Sequence, residues 1–230
     1  MVESKTRSAE IQDVDPGDFA HFLEYAYRRS YTAPSWIEDS NVVEDEAPSP
    51  PESESESLLF ERVLKHMVEE SQTSARDKLQ ARFERLTYLP EGKPATLMIK
   101  NSVPQSNSAA YQDFTPVFLA HARLYTFADM RLVEPLKNLV LHLLHRTLRG
   151  FQLYNERVGD VIALVRYAYD NGKDREDDGT IEDLRKLVVE YIVYEVSTFG
   201  RHMDFVHLLE EGGQFVSDFW RVVSEVSLFD

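Results

Sequence analysis

At 230 residues, with 43% hydrophobic residues, 40 acids against 25 bases and a formal charge of −15, the chain is long enough for one sizeable domain or two small ones. The acidity repels phosphate backbones and anionic lipid, so neither nucleic-acid binding nor membrane-surface binding is expected. No cysteine is present, which excludes disulfides, thiolate zinc sites and a cysteine nucleophile.

Met1 to Glu10 is polar and has no apolar stretch of signal-peptide type. No apolar run approaches the ~20 residues that cross a bilayer. With no Asn-x-Ser/Thr sequon either, a cytoplasmic or nuclear protein is expected. A short strand is expected to end near Val14. Asp15-Pro16-Gly17-Asp18 then breaks the chain and offers an N-cap. Phe19, Phe22, Leu23, Ala26 and Tyr27 follow at i, i+3, i+4, i+7 and i+8, predicting one apolar helical stripe with Tyr27 in the core. Arg28 and Arg29 sit favourably at its C-terminal end. Tyr25, Tyr27, Tyr31 and Trp36 form an aromatic patch without a basic groove, so base stacking is disfavoured. Tyr31 and Trp36 instead read as a partly exposed interaction edge.

From about Glu38 to Ser57 the chain carries eight acids and no base, too little apolar surface to offset chain entropy, and this insertion is expected to be disordered. Its charge of −8 is more than half of the net −15, so the folded remainder is only mildly acidic. Ser49, Ser53, Ser55 and Ser57 are phosphorylation candidates, though a solvated spacer explains them as well. Helical spacing resumes over residues 58–86, with Leu59, Val63 and Met67 and later Leu79, Phe83 and Leu86. Residues 90–110 read as a second loop.

From Thr115 onward the chain is almost continuously helical. Pro116 suits a first turn, a short helix runs over Val117–Thr126, and Asp129 is expected to cap the next one. That next helix carries Leu132, Leu136, Leu139, Val140, Leu143, Leu144 and Leu148 before Gly150. Further helices are expected over 155–169, 181–198, 203–211 and 214–226, with Gly212-Gly213 as an inter-helix turn. Phe215, Phe219 and Trp220 read as a face docking on the chain's own core.

The sequence has no Gly-x-Gly-x-x-Gly, phosphate-loop, His-Glu-x-x-His or Gly-x-Ser-x-Gly motif. His142 and His145 lie at i, i+3, but no third ligand is placed with them, so they read as helix-face histidines. Glu190 and Glu195 are the carboxylates an all-α hydrolase could use, yet they lie about 140° apart around one helix. No catalytic residue, metal or cofactor is assigned.

Two stretches together resemble the BTB/POZ domain. The first is Asp13-Val14-Asp15-Pro16, then Phe19, Phe22-Leu23, Tyr25 and Tyr27, with Tyr31 beyond: a strand end, an acidic proline corner and an aromatic helix. The second runs from Phe118-Leu119-Ala120-His121-Ala122 through Tyr125 and Ala128-Asp129-Met130 to Leu136, similar to the family's Tyr-bearing helix and the long helix after it. Gly159–Tyr169 and Leu209–Gly213 are similar in style to fungal members. The match covers about half the chain and corresponds to the later half of the family's fold, whose opening helix, hairpin and second helix have no counterpart here.

The resemblance implies a mostly α fold with at most one or two short strands. A partial BTB/POZ-like domain would span 9–148, interrupted by the insertion (38–57) and loop (90–110), with a helical extension over 151–230. It implies a protein-interaction adaptor in a ubiquitin-ligase or transcription-related assembly. The partner would be a protein such as a cullin-type scaffold, with Tyr31, Trp36 and Tyr125 as contact residues. Homodimerisation by the family route lacks its usual elements. The alternatives are an all-α enzyme, or a fragment with no function of its own.

Overall fold

The computed structural model describes residues 14–42, 77–89, 104–174 and 179–227. Among them the chain is mostly helical, with one two-stranded antiparallel ribbon. Residues 1–13 and the phosphorylation candidates Ser49, Ser53, Ser55 and Ser57 lie outside the described residues, as do the apolar positions of 58–67.

Helix α1 (Pro16–Arg28) starts where the sequence places it. The Asp15 carboxylate accepts the Gly17 and Asp18 N–H groups at 2.8 and 3.3 Å, and Pro16 opens the first turn. Arg29, at φ 57°, closes it in the left-handed region. Strand β1 (Ile37–Glu38) pairs with β2 (Gln112–Asp113), Ile37 opposite Asp113 and Glu38 opposite Gln112. Val14 lies in no strand. Between the two strands, helix α2 covers residues 77–84.

Helices α3 (Thr115–Met130) and α4 (Glu134–Gly150) form a helical hairpin at the centre of the fold. Helix α3 is longer than expected because Phe127 and Ala128 continue its buried face. Asp129 does not cap α4. It lies inside α3 and holds Lys137 at 2.6 Å and Lys173 at 2.8 Å, while Val133 occupies the cap position. Leu132 is likewise not on the α4 stripe; it sits in the turn at φ 57° and is 80% exposed.

A 3₁₀ turn (Asn155–Arg157) leads into α5 (Val158–Asn171), which packs across α3. Then follow α6 (Asp183–Tyr194), the single turn α7 (Val196–Phe199), α8 (Met203–Glu211) and α9 (Gly213–Ser227). Gly212 and Gly213 have φ of 75° and 81°, a conformation that favours glycine, and they make the α8–α9 joint.

Residues on both sides of Gly150 contribute to one hydrophobic core, from Tyr25 to Val222. Phe151 packs against Phe114 and Phe118 at 5.2 and 5.1 Å, carrying the core across the expected 148/151 division. Phe199, Phe205, Phe215 and Phe219 chain together at 5.6, 6.4 and 6.2 Å, seating the last three helices. Trp220 points away from that seat and is 59% exposed.

Charged groups inside this core are bonded. Arg185, 2% exposed, donates to the carbonyls of Ala168, Tyr169 and Gly172 at the end of α5 and to Gln214 of α9. It thereby satisfies carbonyls that a helix C-terminus leaves open. Asp160 accepts the Phe114 N–H at 2.7 Å, and Arg157 reaches Asp39 at 2.5 Å and Asp160 at 3.7 Å.

Candidate functional site

The three residues expected to face a partner are not placed alike. Tyr31 is interior, 5% exposed, with its hydroxyl hydrogen-bonded to His121 Nδ1 and the two rings edge-on at 5.6 Å. Burial pushes the Tyr31 hydroxyl well above its ordinary range and holds the His121 imidazole down at about 3, so both are neutral. Tyr125 is also interior, 2% exposed, and its hydroxyl donates to Glu182, the carboxylate that caps α6 by accepting the Arg185 N–H at 3.0 Å. Burial, then the Glu182 charge, raises the Tyr125 hydroxyl. Tyr125 is thus a brace between α3 and α6. Beside it Asp129, Lys137 and Lys173 line a cleft of about 190 Å³. Only Trp36 is half-buried, its ring edge-on to Tyr111 at 6.1 Å. Packed inside, Tyr31 and Tyr125 present no surface to a partner, because each aromatic ring is clamped at its polar end as well as its apolar body.

The chemical alternatives are also engaged elsewhere. His145 is 3% exposed, its Nε2 lies 2.8 Å from the Phe83 carbonyl, and burial holds its pKa at about 4. No group of three metal-ligating side chains exists among the described residues. Glu190 takes Arg82 in a fork at 2.8 and 2.7 Å, and Glu195 sits at the α6–α7 junction. The insertion begins later than its composition suggests. Glu38 is a strand residue and Asp39 anchors the buried Arg157, so these two acids belong to the fold.

What sequence reading missed is the face α1 turns outward. The buried side of α1 is Phe19, Phe22 and Tyr25, with Phe22 against Phe127 at 5.1 Å. Leu23, Ala26 and Tyr27 therefore do not enter the core: Leu23 is 40% exposed and Tyr27 88%. Ala20, Leu23 and Tyr27 lie at i, i+3 and i+7, one continuous outward stripe. Arg28 and Arg29 stand exposed at its end. Glu24 is taken up by Arg28 at 2.7 Å and by the Thr32 N–H at 2.8 Å, and the Thr32 bond first of all lowers its pKa. Leu132 and Met130, 64% exposed, add apolar surface at the α3–α4 turn. The spacing did not reveal this: with Ala20 and Tyr25 added, apolar residues surround more than half of the helix, so either side could be the buried one.

No family model, curated protein or solved structure matches this chain. Among the described residues no helix is long and apolar enough to cross a membrane.

The α1 stripe offers aliphatic and aromatic area backed by a helix that its other face fixes, with cations at one end.

Proposed function

We propose that this protein is a non-catalytic interaction module of BTB type, and that it engages a protein partner through the outward face of α1. The observation that carries this reading is the exposure of Tyr27, at 88%, beside Leu23 on a helix anchored by Phe19, Phe22 and Tyr25. Tyrosine is enriched at interfaces because a rigid ring and one hydroxyl lose little entropy on binding. The resemblance of Asp13–Tyr27 and Phe118–Leu136 to the BTB/POZ pattern supports the same reading and suggests a cullin-type scaffold as the partner. Arg28 and Arg29 would meet acidic residues there. The location follows the partner, cytoplasmic or nuclear.

The test is calorimetric titration of the full chain with a cullin-type scaffold. Saturable binding that Leu23→Asp/Tyr27→Asp abolishes, with the helical circular dichroism unchanged, would support the reading. Binding that the double variant leaves intact would move the interface away from α1. No binding at all would remove the cullin-type scaffold as the partner.

A further inference from the structure

Helix α2 and the residues after it, 77–89, pack on the fold as a ligand packs on a receptor. Phe83 is 1% exposed. Its ring stacks on Tyr194 at 5.6 Å and 5°, and lies edge-on to His145 at 4.8 Å. The Phe83 carbonyl meets His145 Nε2, and Leu79, Leu86 and Tyr88 lie against the same core. Arg82 forks onto Glu190, whose side chain is 3% exposed, and reaches Glu225 at 2.9 Å. The groove is thus an aromatic slot between α4 and α6, with an acidic rim shared by α6 and α9. It reads an arginine followed at once by a phenylalanine.

Three observations separate this segment from the rest of the fold. First, its excursion is closed at the base without it. The β1–β2 pairing, the Asp39–Arg157 ion pair, and Gln105 donating to the Ala33 and Pro34 carbonyls at 3.2 and 3.1 Å hold the two ends together. Secondly, the segment's grip is concentrated in one adjacent pair, Phe83 in the slot and Arg82 on Glu190 and Glu225. Thirdly, the segment leaves the slot incompletely satisfied. The Tyr191 hydroxyl, on a ring 5.5 Å from Phe83, is buried without a hydrogen-bond partner among the described residues. A helix bringing an acceptor there would fit better than the resident one.

We infer that residues 77–89 are an exchangeable internal ligand. In their place the groove of α4, α6 and α9 accepts an amphipathic helix of another protein, bearing adjacent arginine and phenylalanine with aliphatic residues one turn to either side. Tethering gives the resident segment a high effective concentration, so an outside helix competes only when it binds more tightly or when the resident is weakened. The groove is built from other helices than the α1 face and stands or falls independently of it.

The probe is a fluorescein-labelled peptide of residues 77–89, titrated by anisotropy against the full chain. Phe83→Ala in the chain weakens the resident, so this chain should bind the peptide saturably and at least tenfold more tightly than wild type. The same peptide carrying Arg82→Glu should lose that binding. Equal binding to both chains, or none to a Phe83→Ala chain that keeps its helical circular dichroism, would overturn the inference. If that variant does not fold, hydrogen exchange on the wild-type chain decides. Amides of 77–84 exchanging at least a hundredfold faster than the buried amides of α4 and α6 support separate release. Equal rates mean the segment leaves only when the whole fold opens, and refute it.

Discussion

Asp160 gives the fold a pH dependence whose sign can be worked out. Its side chain is almost wholly buried at the start of α5, where it accepts one backbone N–H, from Phe114 at 2.7 Å, and lies 3.7 Å from Arg157. Burial outweighs these bonds, and the neighbouring Asp113 charge adds to it, so the carboxyl titrates at about 7. Unfolded, it would titrate near the ordinary value of about 4. Between those two values the folded chain holds the proton and the unfolded chain has lost it. Stability therefore falls as pH rises from about 4 to about 7 and is level beyond. At ~1.4 kcal/mol per pH unit over about three units, the effect is about 4 kcal/mol. Asp160→Asn keeps an acceptor for the Phe114 N–H and removes the titration. Urea unfolding followed by Trp36 and Trp220 fluorescence, at intervals from pH 4.5 to 8, should show the variant gaining on wild type by about that amount. A wild-type-minus-variant difference that stays constant with pH would refute the reasoning.

His121 and His145 work with the opposite sign. Burial holds them at about 3 and about 4, below the unfolded imidazole, so their contribution is present above about pH 6.5 and is lost as pH falls through that window. Their ring proton resonances should not move between pH 8 and about 5 in NMR titration. Arg82→Ala would leave Glu190 buried without its cation and should cost about 3 kcal/mol in urea unfolding. Phe118→Ala, at a fully buried position between Phe114 and Phe151, should cost about 3–5 kcal/mol. Leu23→Asp/Tyr27→Asp should change stability by less than about 1 kcal/mol, since neither side chain is in the core, and a larger loss would mean α1 packs on that face as well.

The long helices were legible because their burial follows the helical period. Leu136, Leu139, Val140, Leu144 and Leu148 are all interior, as their spacing predicts, and so are Val158, Ile162 and Val165. Phe83 was legible for the same reason, with Leu79 and Leu86 beside it. Helix α1 was legible as a helix but not in its rotation, because apolar residues surround more than half of it. Only the presence of Phe127 beside Phe22 decides which side is buried. The β1–β2 ribbon is two residues long on each strand, too short for an alternating pattern to show. Arg157, Asp160, Arg185 and Glu190 escaped because charge in a sequence reads as surface. Their burial depends on bonds to residues as far away as Asp39, Phe114 and Arg82, which spacing does not reveal. The candidate interface escaped for a related reason: an exposed tyrosine and a buried one are the same letter.

Arg185 also bears on how the chain is made. A ribosome releases α5 before α6 and long before α9, yet the carbonyls at the end of α5 are bonded by Arg185 of α6, which Gln214 of α9 holds in turn. While α9 is still in the exit tunnel, that guanidinium lacks its glutamine and the slot for Phe215 and Phe219 stands open to water. Until then the uncovered slot is the kind of exposed apolar surface that invites chaperones. Only α9 closes it, so the end of α5 is expected to be sealed once α9 has cleared the exit tunnel.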